Sequence, residues 1–181
     1  MSLKVRMHWR AITQLAKAGN DLIFTASFGF MQIQPSKQPN SSLKLCLSMQ
    51  RGYRRAKNLS APTRFATYEG RYVSGVAAGL RATKSNVTVS YTAPFPIPEV
   101  GRDINAAYLG AKSVNPNVKM KIVWVNTWYD PGKESDAANA LIDQGVDVLL
   151  QHTDSPAPLL AAEKRGVLAI GQASRYESLC P

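Results

Sequence analysis

The chain has 181 residues, a formal net charge of +10 and 45% hydrophobic residues. This length allows one domain or two small ones with a buried core, and no run approaches the roughly 20 apolar residues of a membrane helix. The positive charge raises the question of a nucleic-acid partner. Because the lysines and arginines are scattered, we interpret them as a solvated surface and expect no nucleic acid. The two cysteines, Cys46 and Cys180, form no metal or redox motif.

The first elements of the chain are a short helix and a strand. Apolar residues recur on one face of Ala11–Ala18, and Gly19 follows where the helix should end. The apolar run in Asp21–Phe28 predicts a strand. Phe28, at the carboxyl end of this strand, is a candidate for stacking on a ligand, although a packing role in the core or in a loop is equally compatible with the pattern.

The middle of the chain alternates between helix and strand, which is typical of parallel sheets covered on both faces. The proline-rich segment Ala93–Pro98 is expected to be extended. The elements predicted around it are a glycine-rich helix over Tyr68–Ala82, a strand over Val87–Thr92 and a helix over Val100–Val114.

The stretch from Lys121 to Pro158 predicts a strand, a helix and a second strand. Ile122–Val125 is a short β-branched and aromatic run. Asp130 stands before Pro131, as an N-cap stands before a proline in the first helical turn. Gly145 occupies the position of a glycine that ends a helix, and a second apolar strand follows it. We interpret the stretch as one βαβ unit of neighbouring strands.

Polar and aromatic residues follow both strands, and ligands bind outside the carboxyl ends of strands in open α/β sheets. Asn126 and Trp128 follow the first strand, and Asp154 follows the second. They are predicted to bind a flat, polar small molecule, with Trp128 as the stacking group. Asp154 is equally well explained as an N-cap of the next helix. Trp124 is expected in the core, and His152 is expected to be structural, because no second metal ligand accompanies it.

The same stretch carries a family resemblance. WVNTWYDPGKE and ALIDQGVDVLLQHTDSPAP, together with YEGRYVSGVAAGL and PFPIPEVGRDINAAYLGAKSVNP, resemble the basic membrane protein family. Its members are substrate-binding proteins of ABC importers that are similar to purine nucleoside and nucleobase binders. The position of Trp128 resembles that of the stacking aromatic residue of the family.

This resemblance implies an α/β chain with the type I periplasmic-binding fold, in which two lobes close over a ligand. We expect residues 1–92 to form part of lobe one and residues 93–181 part of lobe two, with Ala93–Pro98 as the crossover. The implied function is the binding of a purine nucleoside or nucleobase for import. The implied partner is a membrane permease, and the implied location is the periplasm or a membrane anchor. We expect a monomer without cofactor or metal.

Two segments do not fit this pattern. Residues 32–51 show no period, and a shifted reading frame can be chosen that restores a pattern resembling the FEHATG motif of the family. A shifted frame over residues 175–181, and over Leu3–His8, also gives family-like sequence. We therefore expect residues 32–51 and 175–181 to be out of frame and poorly packed, with both cysteines as by-products. The resemblance implies an exported protein, and no signal peptide is recognisable in the sequence, so we expect the start of the protein to be missing.

Two other functions fit the same architecture, because a fold does not determine a function. The first alternative is a ligand-sensing regulator domain, which would need a DNA-binding segment upstream. The second is an α/β enzyme acting on a nucleoside, which would need two titratable groups converging on Trp128. Asp154 is the only such group that the sequence suggests, and no nucleophile or phosphate-binding motif is present. We therefore expect no catalytic residues.

Overall fold

The computed structural model describes residues 3–20, 22–25, 46–50, 59–63, 66–81 and 87–172. The chain divides into two compact units, Met1–Phe65 and Ala66–Pro181. Within the described ranges, the chain forms five helices and seven strands. Each unit has its own sheet.

The first unit contains one helix and a parallel three-stranded sheet. Helix α1 spans Leu3–Lys17 and is longer than the predicted Ala11–Ala18. Gly19, with φ of +87°, follows it as predicted. The strands, in sheet order, are β1 over Leu22–Thr25, β2 over Cys46–Gln50 and β3 over Leu59–Thr63.

The strand β2 lies inside the segment that was expected to be out of frame. It pairs with β1 in parallel over four consecutive residues, from Leu22 with Cys46 to Thr25 with Met49. The expectation of few regular ladders is therefore wrong for residues 46–50, which form a regular parallel ladder with β1. Residues 32–45, residue 51 and residues 175–181 lie outside the described residues. The strands predicted at Asp21–Phe28 and Val87–Thr92 are regular where described, but they belong to different sheets.

The second unit alternates between helix and strand, as predicted. Its parallel sheet has the order β5-β4-β6-β7. The strands are β4 over Thr88–Ala93, β5 over Lys119–Trp124, β6 over Val148–Gln151 and β7 over Leu168–Ile170. The helices are α2 over Thr67–Arg81, α3 over Pro98–Val114, α4 over Pro131–Asp143 and α5 over Ala157–Lys164.

The side chains of β4 and β6 alternate between two buried clusters. Val89, Tyr91 and Leu150 belong to the cluster that contains Ile104 and Ala107 of α3. Leu149, on the opposite face, packs with Leu141 and Ile142 of α4 and with Ala161 and Ala162 of α5. The sheet is therefore covered on both faces, which explains why its central strands are continuous apolar runs.

The glycines of α2 and α3 allow the two helices to pack with their backbones in contact. A Cβ atom added at Gly75 would lie 2.0 Å from the carbonyl oxygen of Ala107, and one at Gly110 would lie 2.1 Å from that of Tyr72. A third close approach lies at Gly79, opposite Ala111. The glycines that lower the helix propensity of α2 are therefore required by its contact with α3.

The division of the chain differs from the sequence-based boundary at residues 92 and 93. Strand β4 pairs with β5 along Thr88–Ala93, and it pairs with β6 on its other side. Residues 66–92 consequently belong with residues 93–181. The proline-rich segment connects β4 to α3 within this unit and is not a crossover between units. The assignment of the units to lobes stays a prediction.

Strands β5 and β6 are also not neighbours, because β4 lies between them. The prediction of a βαβ unit of adjacent strands is wrong on this point, although its strand, helix and strand are all present. Helix α4 begins and ends as predicted. Asp130 is its N-cap, Pro131 is its first residue, and Gly145 follows with φ of +75°.

Candidate ligand-binding site at the strand ends

Two loops leave the carboxyl edge of the second sheet and contact each other. We call residues 126–130, after β5, the first loop, and residues 152–156, after β6, the second loop. The backbone N–H of Asp154 donates to the carbonyl oxygen of Trp128 at 2.8 Å. The two loops therefore meet despite the strand between their parent strands. This brings together Asn126, Trp128 and Asp154, the three predicted site residues of this unit.

Asn126 changes the direction of the chain where β5 ends. Its φ of +55° lies in the left-handed region, where asparagine is among the few non-glycine residues that occur often. Its side chain is exposed. The residue thus directs the first loop away from the strand and keeps an amide group available at the surface.

Trp128 is half-buried and rests on aromatic neighbours. Its ring centroid lies 5.7 Å from that of Phe95 and 6.4 Å from that of His152, both tilted. It also packs against the core cluster between the sheet and α3. Tilted ring pairs at these distances are favourable and fix the orientation of the indole. Trp128 is therefore held in place on one side while part of its surface remains accessible.

The other predicted residues have different environments. Asp154 is exposed, but its predicted role as N-cap is wrong, because α5 begins at Ala157 and Pro156 occupies the N-cap position. Trp124 was expected in the core and is 37% exposed. It lies on β5, an edge strand of this sheet that is covered less completely than the central strands. Phe28 lies outside the described residues.

A buried carboxylate, which the sequence analysis missed, supports both loops. Glu134 of α4 is fully buried. One carboxylate oxygen accepts the backbone N–H of Asp130 at 2.8 Å, and the other accepts the hydroxyl of Ser155 at 2.6 Å. These bonds satisfy both oxygens and connect the end of the first loop to the second loop. An acidic residue in the first turn of α4, such as Glu134, is a recognisable signal of a helix start. No sequence pattern, however, predicts that Glu134 contacts Ser155.

The sequence analysis also missed Gln151, whose side chain fixes the conformation of the second loop. Its buried side-chain amide donates to the carbonyl oxygens of Thr153 at 2.6 Å and Ser155 at 2.5 Å. Two bonds from one fixed nitrogen determine the path of the loop back over the end of β6. The local conformation around Asp154 is thus set by the buried side chain that precedes it.

His152 is buried and contacts Tyr91, and the structural role expected from the sequence stays a prediction. The two side chains are buried, and the Tyr91 hydroxyl lies 2.7 Å from Nδ1 of His152. Burial raises the pKa of Tyr91 well above its usual value, although the charge of Arg71 acts in the opposite direction. The phenol is therefore protonated at neutral pH.

Arg71 reaches this group from α2. Its guanidinium lies over the Tyr91 ring, with Cζ 5.4 Å from the ring centroid. Its Nη2 donates to the carbonyl oxygen of Gln151 and to the side-chain oxygen of Gln172. The sequence analysis did not identify Arg71, since its spacing is that of an ordinary helix residue.

This edge of the sheet combines an oriented indole with exposed amide and carboxylate groups at Asn126 and Asp154. In the described part of the chain, no group of three or more His, Cys, Asp or Glu residues is placed to hold a metal ion. No described helix is long and apolar enough to cross a bilayer.

Comparisons with known proteins agree with this architecture. Residues 6–175 match the Bmp family, described as PnrA-like ABC transporter substrate-binding proteins. The chain is 48% identical over 173 residues to a purine-binding protein of Brucella abortus, covering 95% of this chain and 48% of that protein. It is 42% identical over 167 residues to a putative ABC transporter glucose-binding protein of Haloferax volcanii, covering 90% and 40% respectively. The chain thus spans about half the length of these relatives.

Solved structures show the fold. The crystal structure of an ABC transporter solute-binding protein from Aeropyrum pernix superposes with a TM-score of 0.74 at 18% sequence identity, covering 97% of this chain and 52% of that one. The α/β fold is that of type I periplasmic-binding proteins, as expected, and the chain represents part of it. The match over residues 6–175 shows that the chain belongs to the Bmp family of PnrA-like ABC transporter substrate-binding proteins.

Proposed function

We propose that the protein is the solute-binding component of an ABC importer and that it binds a purine nucleoside or nucleobase at the strand-end loops. The observation that carries this proposal is the oriented, partly accessible ring of Trp128, supported by Phe95 and His152. A purine stacked on an aromatic side chain gains roughly 1–3 kcal/mol. The amide of Asn126 and the carboxylate of Asp154 supply hydrogen-bonding groups for the polar edges of such a ligand.

The similarity to the purine-binding protein of Brucella abortus supports this ligand class. A second candidate is a sugar, because the relative from Haloferax volcanii is described as glucose-binding. An indole surface accommodates a pyranose ring as well as a purine, so the two ligand classes differ mainly in their polar edges. We favour the purine because the identity is higher over a similar share of the chain.

Isothermal titration calorimetry on the protein at the full length that its gene encodes tests the proposal. Adenine, hypoxanthine, adenosine and glucose are titrated separately. We expect saturable heat with at least one purine and none with glucose. Tight glucose binding without any purine signal would establish the sugar as the ligand class. Binding of neither class would reject the site as proposed.

We further propose that binding occurs without turnover. Of the titratable side chains near Trp128, Asp154 is exposed, and Nδ1 of His152 is occupied by its contact with Tyr91. Incubation with adenosine followed by chromatography should return the nucleoside unchanged, and release of adenine would instead indicate a nucleosidase. Family membership supports a membrane permease as partner, and with it a periplasmic or membrane-anchored location. The monomeric state expected from the sequence stays a prediction.

A further inference from the structure

A continuous row of flat side chains lies beneath the proposed site. Arg71 covers the ring of Tyr91 at 5.4 Å, Tyr91 contacts His152 with ring centroids 5.9 Å apart, and His152 contacts Trp128 at 6.4 Å. The first three members are at most 3% exposed, whereas Trp128 is partly accessible. The row thus connects the buried sheet to the proposed ligand-contacting indole.

The hydrogen bond between Tyr91 and His152 has a preferred direction. A neutral phenol has one hydrogen to donate, and the unprotonated nitrogen of a neutral imidazole is a strong acceptor. The nearby guanidinium of Arg71 withdraws charge from the phenol and makes its hydroxyl a better donor. At 2.7 Å, the contact has the length of an O–H···N bond that ends on Nδ1 of His152.

We propose that Tyr91 and Arg71 are positioning residues of the ligand site, which hold His152 as the tautomer protonated on Nε2 and thereby fix the ring on which Trp128 rests. This inference rests on the proposed function for its effect on binding, but its effect on His152 is independent of any ligand. The guanidinium of Arg71 packs over the Tyr91 ring and holds the phenol in position. It also donates to the carbonyl oxygen of Gln151, which fixes the end of β6.

The chain provides a matched control for the loss of the Tyr91 hydroxyl. Ser90, the adjacent residue of β4, is also fully buried, and its hydroxyl donates to the carbonyl oxygen of Val148 at 3.1 Å. Its side chain points to the opposite face of the sheet, since successive residues of a strand alternate. Tyr91→Phe and Ser90→Ala each remove one buried hydroxyl bond, but only the first faces His152.

Nitrogen-15 NMR of histidine-labelled protein reads the tautomer directly. The protein contains two histidines, so His8→Gln leaves His152 as the single labelled signal. In the His8→Gln protein, we expect His152 to have an unprotonated Nδ1 and a protonated Nε2. The same signals are expected when Ser90→Ala is added. Tyr91→Phe should mix the two tautomers. A mixed tautomer before the substitution, or an unchanged signal after it, would overturn the assignment.

Binding is then compared in the same variants, with the purine that gives the largest calorimetric signal in the unsubstituted protein. Tyr91→Phe should weaken binding roughly two- to tenfold, as expected for the loss of one hydrogen bond, and Ser90→Ala should not. Equal binding in Tyr91→Phe and Ser90→Ala would show that Tyr91 is only structural. If the unsubstituted protein binds no purine, the proposed function fails and the role in binding fails with it, while the NMR result still decides the tautomer.

Discussion

The backbone N–H of Asp154 donates to the carbonyl oxygen of Trp128 at 2.8 Å and joins two loops whose strands are separated by a third. This bond uses main-chain atoms alone, so neither the indole of Trp128 nor the carboxylate of Asp154 takes part in it. Glu134 of α4 adds a second connection between the same loops, because it accepts from both Asp130 of the first loop and Ser155 of the second. The geometry of the site is thus fixed by contacts beneath the side chains proposed to bind.

Trp128→Ala should weaken purine binding roughly 5- to 150-fold, because it removes a stacking contact of about 1–3 kcal/mol. Trp124→Ala is the matched control, since that tryptophan lies within β5 and not in the loop. Calorimetry gives both dissociation constants, and chemical unfolding gives both stabilities. If the two variants lose binding in the same proportion to their loss of stability, Trp128 does not contact the ligand.

Ser155→Ala should lower the free energy of unfolding by about 1–3 kcal/mol, because it leaves one oxygen of the buried Glu134 carboxylate without its donor. Ser113→Ala is the control, since Ser113 is exposed and bonds within its own helix to Gly110. Urea unfolding measures both values. Similar small losses in the two variants would mean that water replaces the Ser155 hydroxyl at no cost.

Asp130→Asn should make the stability of the protein less dependent on pH. The pKa of Asp130 is lowered in the folded state, chiefly by the backbone hydrogen bond from Lys133 and also by the charge of that lysine. A lowered folded pKa contributes stability above the unfolded value near 3.8, and this contribution is lost as pH falls through the folded pKa. Urea unfolding at several pH values should show the wild-type advantage at pH 6 and its decrease as the pH falls below 3.8. An advantage that is constant with pH would contradict this assignment.

Gly75→Ala should destabilise the protein by about 1–3 kcal/mol or more, because its methyl group would collide with the backbone of Ala107 on α3. Gly70→Ala, in the same helix, meets no atom within 4 Å and should be neutral or stabilising by up to about 1 kcal/mol. Thermal unfolding compares the two variants. A tolerated Gly75→Ala would show that α2 and α3 can separate without loss of packing energy.

The elements of the second unit were largely predictable, because their signals are local. The cap of α4 at Asp130 and Pro131, and the glycine at 145 that follows it, depend on residues only a few positions apart. The alternation of strand and helix indicated a parallel sheet, and the family resemblance supplied the class of fold. Asn126, Trp128 and Asp154 were identified because polar residues that follow strands lie at one edge of such a sheet.

The strand order and the support of the site could not be predicted in this way. The position of β4 between β5 and β6 is decided by pairing among residues about 30 to 60 positions apart, and no local pattern records which strands pair. The sequence therefore determined which segments become helices and strands and which residues stand at their ends. Tertiary structure alone decided that Arg71, Tyr91 and His152 meet beneath Trp128, because burial of distant residues in one core brings their polar groups together and requires them to bond to each other.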